Sequence, residues 1–255
     1  LVDLATVMSA ARPVSVLPTL LTLGNLACGL GAVLVAGSEQ THAGWLPIEV
    51  AAGLIVLAMV FDAVDGLAAR AMQAATEFGA QLDSLADMVS FGIAPAVLLV
   101  EHSPWQSGLP FQLTIAAAVL FVCCVALRLA RYNTEAAAES EQEDFAGLPS
   151  PAAAALVVAI VIFVSPSVGT LVLPLAFVTL GLLMVSSIPY SHAVQWLARQ
   201  RLNTRGIALL VAGIAMTLAA RQWAIPLVVG SYVAVPPLKM GWRRIMQSTG
   251  EQSAA

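Results

Sequence analysis

Long apolar runs separated by short polar stretches set the pattern of this chain, and runs of about 17–25 apolar residues can cross a bilayer as helices. Such runs lie at 16–36, 46–68, 81–100, 113–132, 151–164, 170–188, 205–220 and 223–238, the fifth and the last pair being the shortest. The pattern predicts an all-α, polytopic membrane helix bundle of about eight transmembrane helices, a six-helix core followed by two C-terminal spans. Composition agrees: 59% of the 255 residues are hydrophobic and 10% charged, with a mean hydropathy of +0.88. These values exclude an ordinary soluble domain.

Charge placement orients the bundle. With both termini cytoplasmic, every Lys and Arg except Arg221 falls on or near the cytoplasmic side, and the segments 37–44 and 101–112 carry neither. Residues 1–15 read as an N-terminal interfacial segment in which Leu1, Leu4, Val7, Met8 and Ala11 form an apolar face. A frayed terminus is the alternative. Residues 16–190 form the main membrane domain, 191–240 hold two more spans, and 241–255 make a basic and polar cytoplasmic tail.

One stretch breaks the apolar background. Between residues 61 and 95 stand Asp62, Asp65, Asp83 and Asp87, with apolar sequence before and after them. A carboxylate at membrane depth costs roughly 2.5–3.5 kcal/mol at a helix centre. Asp62 and Asp65 are i, i+3, and Asp83 and Asp87 are i, i+4, so each pair projects from one helix face. A turn near Gln73 to Thr76 would set the two helices antiparallel and bring those faces together. Four converging carboxylates with only Arg70 nearby repel one another and call for a cation.

Oxygen ligands without His or Cys suit a hard ion, Mg²⁺ or Mn²⁺. Two such ions about 3.5–4 Å apart can clamp a phosphoryl group during in-line displacement. Gly66, Ala69 and Gly79 remove bulk where a nucleotide or pyrophosphate would approach the backbone, and Arg70 supplies a planar fork for phosphate oxygens.

The run Asp62-x-x-Asp65-Gly66-x-x-Ala69-Arg70, eight residues, then Gly79-x-x-x-Asp83-x-x-x-Asp87 resembles the signature of the CDP-alcohol phosphotransferase family at every position. The resemblance covers about residues 16–188. It implies an integral membrane enzyme that moves a phosphatidyl group from a CDP-lipid to an alcohol and releases CMP. The four aspartates would hold two metal ions, with Asp83 and Asp87 catalytic and Asp87 the general base. Gly66, Ala69, Arg70 and Gly79 would bind CDP, joined by Thr22 and Asn25 of the first span. Without the family, packing and interhelical hydrogen bonding account for Thr22 and Asn25.

Three further runs resemble the phosphatidylserine synthase branch. Ser90-Phe91-Gly92-Ile93-Ala94-Pro95 follows the last aspartate, where a proline kink is the plain expectation. Leu127-Arg128-Leu129-Ala130-Arg131-Tyr132-Asn133 closes the fourth span. Phe145-Ala146-Gly147-Leu148-Pro149-Ser150-Pro151 leads back into the membrane after an acidic stretch. Arg128, Arg131, Asn133 and Ser150 would then bind the serine carboxylate or a lipid phosphate, although a headgroup-binding stop signal explains the arginines equally simply.

The implied partners are CDP-diacylglycerol, L-serine and membrane lipids, with a homodimer as the assembly and no nucleic acid. A prokaryotic inner or cytoplasmic membrane, with the site facing the cytoplasm, is the expected location. Two rivals stand beside this reading. The acceptor could be another alcohol, as in phosphatidylglycerol-phosphate, inositol-phosphate or archaetidylserine synthesis. Buried acids without a signature would indicate an ion or proton transporter, but here all four crowd into one helical pair. Cys28, Cys123 and Cys124 form no Cys-x-x-Cys pattern, and His42, His102 and His192 are isolated.

Overall fold

The computed structural model describes residues 16–38, 46–72, 76–137, 147–163, 172–186 and 188, and these are all-helical. Helix α1 is Val16–Ala36, α2 is Pro47–Ala71 and α3 is Glu77–Asp87. A π-helical segment, Met88–Ile93, joins α3 to α4 at Ala94–His102. Then follow α5 (Gly108–Ala137), α6 (Ser150–Phe163) and α7 (Val172–Val185).

Four helices among the described residues are long and apolar enough to cross a membrane: Val16–Ala36, Pro47–Ala69, Glu77–His102 and Gly108–Thr134. The fifth and sixth expected spans appear as the shorter apolar helices α6 and α7, of 14 residues each. The two C-terminal spans, the interfacial segment at 1–15 and the tail at 241–255 lie outside the described residues.

Several boundaries differ from the apolar runs, each for a local reason. The third span begins at Glu77 instead of 81 because Thr76, extended at φ −127° and ψ 152°, caps α3 by accepting from the Gly79 amide at 3.0 Å. α5 starts at Gly108 instead of 113, where the chain turns through φ +77°. It runs on to Ala137, past the apolar stretch that ended at 132, through Glu135, Ala136 and Ala137, which are good helix formers. The expected kink around Pro95 takes the form of the π segment before it, with Pro95 tolerated in the first turn of α4.

α1 and α2 pack closely through small residues. Ala32, Ala36, Ala51, Ala52, Ile55 and Ala58 are buried between them and their neighbours. At Gly24 a Cβ would stand 3.0 Å from the Phe61 ring, so its absence lets α2 approach α1 just where the aspartates begin. The same core continues into the π segment, α4, α5, α6 and α7 through Phe91, Leu98, Leu99, Val125 and Val157, with the Phe121 and Phe177 rings 4.9 Å apart. Outward faces carry exposed Leu20, Leu34, Val60, Leu85, Leu127 and Leu175. In lipid such a surface carries no hydrophobic penalty.

The chain before α6 is fastened to the end of α7. Gly147 donates its amide to the Ile188 carbonyl at 2.8 Å and Leu148 to the Leu183 carbonyl at 3.1 Å. The Leu183 carbonyl is one that the end of α7 leaves without an intrahelical partner, and Ile188 lies just beyond that end. Gly147 adopts φ +93°, and a Cβ there would run into the Met184 carbonyl.

Candidate active site

Asp62 and Asp65 lie near the C-terminal end of α2, and Asp83 and Asp87 on α3. Three of the four come together: Asp62, Asp83 and Asp87 each offer a carboxylate oxygen, and these atoms all lie within 4.8 Å of one another. Asp65 stands outside that trio. Its Oδ2 accepts a hydrogen bond from Thr22 Oγ1 at 2.9 Å.

The single Thr22 hydroxyl proton has a second acceptor, the Pro18 carbonyl at 3.0 Å, so α1 can hold Asp65 or release it without unpairing the hydroxyl. Asp87 is held from α1 as well: Asn25 Nδ2 donates to its Oδ1 at 3.1 Å. Asp65 and Asp87 are buried, whereas Asp62 and Asp83 are half-buried. The acidic set is thus sorted into two carboxylates tied to α1 and two that have no bond to it among the described residues.

Asp83 Oδ1 is a buried oxygen with no hydrogen-bond partner among the described residues. Such an atom is costly unless something neutralises it. Three acceptor-only carboxylates converging around it fit a hard divalent cation, because each oxygen supplies a ligand and none competes as a donor.

Gly66 and Ala69 are half-buried on α2, beside the aspartates in sequence. Arg70 lies in α2, and its side chain lies outside the described residues. Gly79 is accounted for locally, since its amide is taken by the Thr76 cap and a Cβ would sit 3.1 Å from Thr76 Oγ1.

Of the four residues expected to bind the acceptor, Arg128 and Ser150 are bonded to each other, and Asn133 is bonded to Ser84 on α3. Arg128 Nη1 donates to Ser150 Oγ at 3.1 Å, joining α5 to the fully buried first residue of α6. Asn133 Nδ2 donates to Ser84 Oγ at 3.0 Å, joining the far end of α5 to α3 one residue from Asp83. Arg131 is exposed on α5. Ser84 and Ser90 were not singled out as site residues by sequence. Ser84 falls between two aspartates without any periodic signal of its own, and Ser90 appeared only as the first residue of the run Ser90 to Pro95.

Comparison with known proteins decides the family. The family model described as CDP-alcohol phosphatidyltransferase matches residues 15–186. The chain belongs to this family. Among its curated relatives, the CDP-diacylglycerol–serine O-phosphatidyltransferase of Helicobacter pylori strain 26695 is 33% identical over 193 residues, covering 72% of this chain and 76% of that protein. Proteins of the same name from Methanocaldococcus jannaschii and Bacillus subtilis are 33% and 34% identical, covering 72% and 69% of this chain and 77% and 90% of theirs. As a CDP-alcohol phosphotransferase with several apolar helices of spanning length, the chain is an integral membrane enzyme.

Proposed function

We propose that this CDP-alcohol phosphotransferase is a phosphatidylserine synthase, which transfers the phosphatidyl group of CDP-diacylglycerol to the hydroxyl of L-serine and releases CMP. The observation that carries the reaction type is the convergence of Asp62, Asp83 and Asp87 around an orphaned buried oxygen. The choice of serine is supported by the names of the relatives and by the arginines of α5.

Two Mg²⁺ or Mn²⁺ ions bound by Asp62, Asp65, Asp83 and Asp87 would neutralise the diphosphate and stabilise charge on departing CMP. Gly66, Ala69, Arg70 and Gly79 form the nucleotide side, while Thr22 and Asn25 reach the carboxylates from the α1 wall. Asp87 accepts the serine hydroxyl proton as that oxygen forms its bond to the phosphatidyl phosphorus. The phosphoanhydride bond to CMP breaks, and its electron pair leaves with CMP. Arg131 and Arg128 offer cationic forks to the serine carboxylate, with Asn133 and Ser150 holding this end of α5 against α3 and α6.

The enzyme works as a homodimer of eight-span subunits with both termini and the site on the cytoplasmic side, where a water-soluble acceptor and CMP can exchange. A prokaryotic cytoplasmic membrane is the setting.

The test is CMP release from CDP-diacylglycerol by purified protein in detergent, with and without L-serine, in Mg²⁺, Mn²⁺ or chelator. Release should require both serine and metal, and Asp87→Asn should slow it about 10²–10⁴-fold, the range for loss of a general base. Protein that binds CDP-lipid but does not respond to serine would refute the acceptor and the arginine assignment.

A further inference from the structure

The wall of α1 that meets the acidic cluster carries Thr22, Asn25 and Gly29, spaced at i, i+3 and i+7 on one helix face. Asn25 differs from the others. It is fully buried, its Nδ2 donates to Asp87 Oδ1 at 3.1 Å, and its own Oδ1 is buried with no hydrogen-bond partner among the described residues. An amide that reads a nucleotide presents an accessible polar edge, and Asn25 presents none.

The backbone of Asn25 is fixed as well. Ser90 Oγ donates to the Asn25 carbonyl at 3.0 Å, and Ser90 is fully buried. The approach depends on Gly29, where a Cβ would stand 2.7 Å from the Ser90 Cα, an atom that cannot move aside as a flexible side chain would. Ser90 lies three residues after Asp87, inside the π segment Met88–Ile93. The stretch that carries Asp87 is therefore fastened to α1 twice, through the carboxylate and through the hydroxyl.

We propose that Asn25, seated by Ser90 and Gly29, is a positioning residue for Asp87 and acts through that carboxylate instead of contacting the nucleotide. This rests on the reading of Asp87 as the proton acceptor. A carboxylate only accepts hydrogen bonds, so the amide must turn its NH₂ toward Asp87. One bond to Oδ1 stops rotation about the Cβ–Cγ bond and sets the direction of both oxygens. Partners of this kind, which orient a ligand or reacting group, typically affect affinity or activity about 10–100-fold.

The experiment measures kcat for CMP release and, separately, CMP affinity by calorimetry, on the full chain in detergent. Asn25→Ala should lower kcat about 10–100-fold with CMP affinity unchanged. Ser90→Ala should show the same split at smaller size. Weakened CMP binding with an intact kcat would overturn the proposal in favour of a nucleotide contact, and an unchanged kcat would overturn it outright.

If Asn25→Ala does not yield folded protein, Ser90→Ala decides by the same two readings. An Asp87→Asn protein that keeps the wild-type rate removes the underlying reading and the inference with it. A normal Asp87→Asn loss beside an unaffected Asn25→Ala removes the inference alone.

Discussion

The acidic cluster has two unlike flanks. On the α1 flank Thr22, Asn25 and Ser90 are buried, small residues bring backbones together, and the polar bonds run directly to carboxylates. On the α5 flank Arg131 is exposed, Ser84 and Asn133 are half-buried, and Asn133 is bonded to Ser84 across to α3. The difference separates two physical tasks. On the proposed function, groups that must stay still lie where packing leaves one rotamer, and Arg131, proposed to meet the acceptor, lies exposed. On this division, changes on the α1 flank affect turnover and changes on the α5 flank affect acceptor affinity.

Gly29→Ala puts the division under the heaviest load. The added methyl meets Ser90 backbone, so the helices must part; over-packing of this kind costs about 1–3 kcal/mol. A shift of about 1 Å at Asp87 should lower kcat about 100-fold. Unfolding midpoint and kcat measured on the same sample should both fall, and a variant with wild-type values for both would show that the α1 flank is not rigid.

Arg131→Ala should leave kcat and the CDP-lipid KM alone while raising the serine KM about tenfold, as expected for one charge-assisted hydrogen bond. Equal rises in the two KM values would erase the distinction between flanks. The smallest effect is expected at the Ser84–Asn133 bridge. A double-mutant cycle with Ser84→Ala and Asn133→Ala should give a coupling of about 1 kcal/mol, or about fivefold in the serine KM. Additive losses would mean that the bridge does not tie α5 to α3.

Much of the fold could be read from hydrophobicity because lipid-spanning helices announce themselves by length. α1 falls on the expected 16–36, and α2 differs from its expected run by a few residues at its ends. The acidic set was legible because carboxylates at that depth are costly and their i, i+3 and i, i+4 spacings fix a face. Other features had no such signal. The π segment at Met88–Ile93 is bonded to α1 through Ser90, and no residue period marks it.

Thr76 carried a readable cue, a Thr three residues before Gly79 at a helix start, but the apolar-run criterion passed over the amphipathic first turns of α3. The division of Arg128, Ser150 and Asn133 between two separate bridges depends on which helix each one faces. Sequence spacing within α5 says nothing about its neighbours on α3 and α6. Sorting the four aspartates by their bonds to α1 likewise required the depth at which α1 sits, which is set by Gly24 and Gly29.

Gly147 gives the molecule an unexpected sensitivity. Its left-handed backbone and the Met184 carbonyl beside it leave no room for a side chain, and it ties the start of α6 to the end of α7. Ser150, three residues on, is the partner of Arg128. A population of random variants would therefore contain substitutions at 147 that mimic damage to the proposed acceptor site, although the Gly147 amide is bonded to Ile188 and not to any residue of that site. Genetic screens for substrate-binding residues would collect this corner of the backbone along with residues that touch substrate.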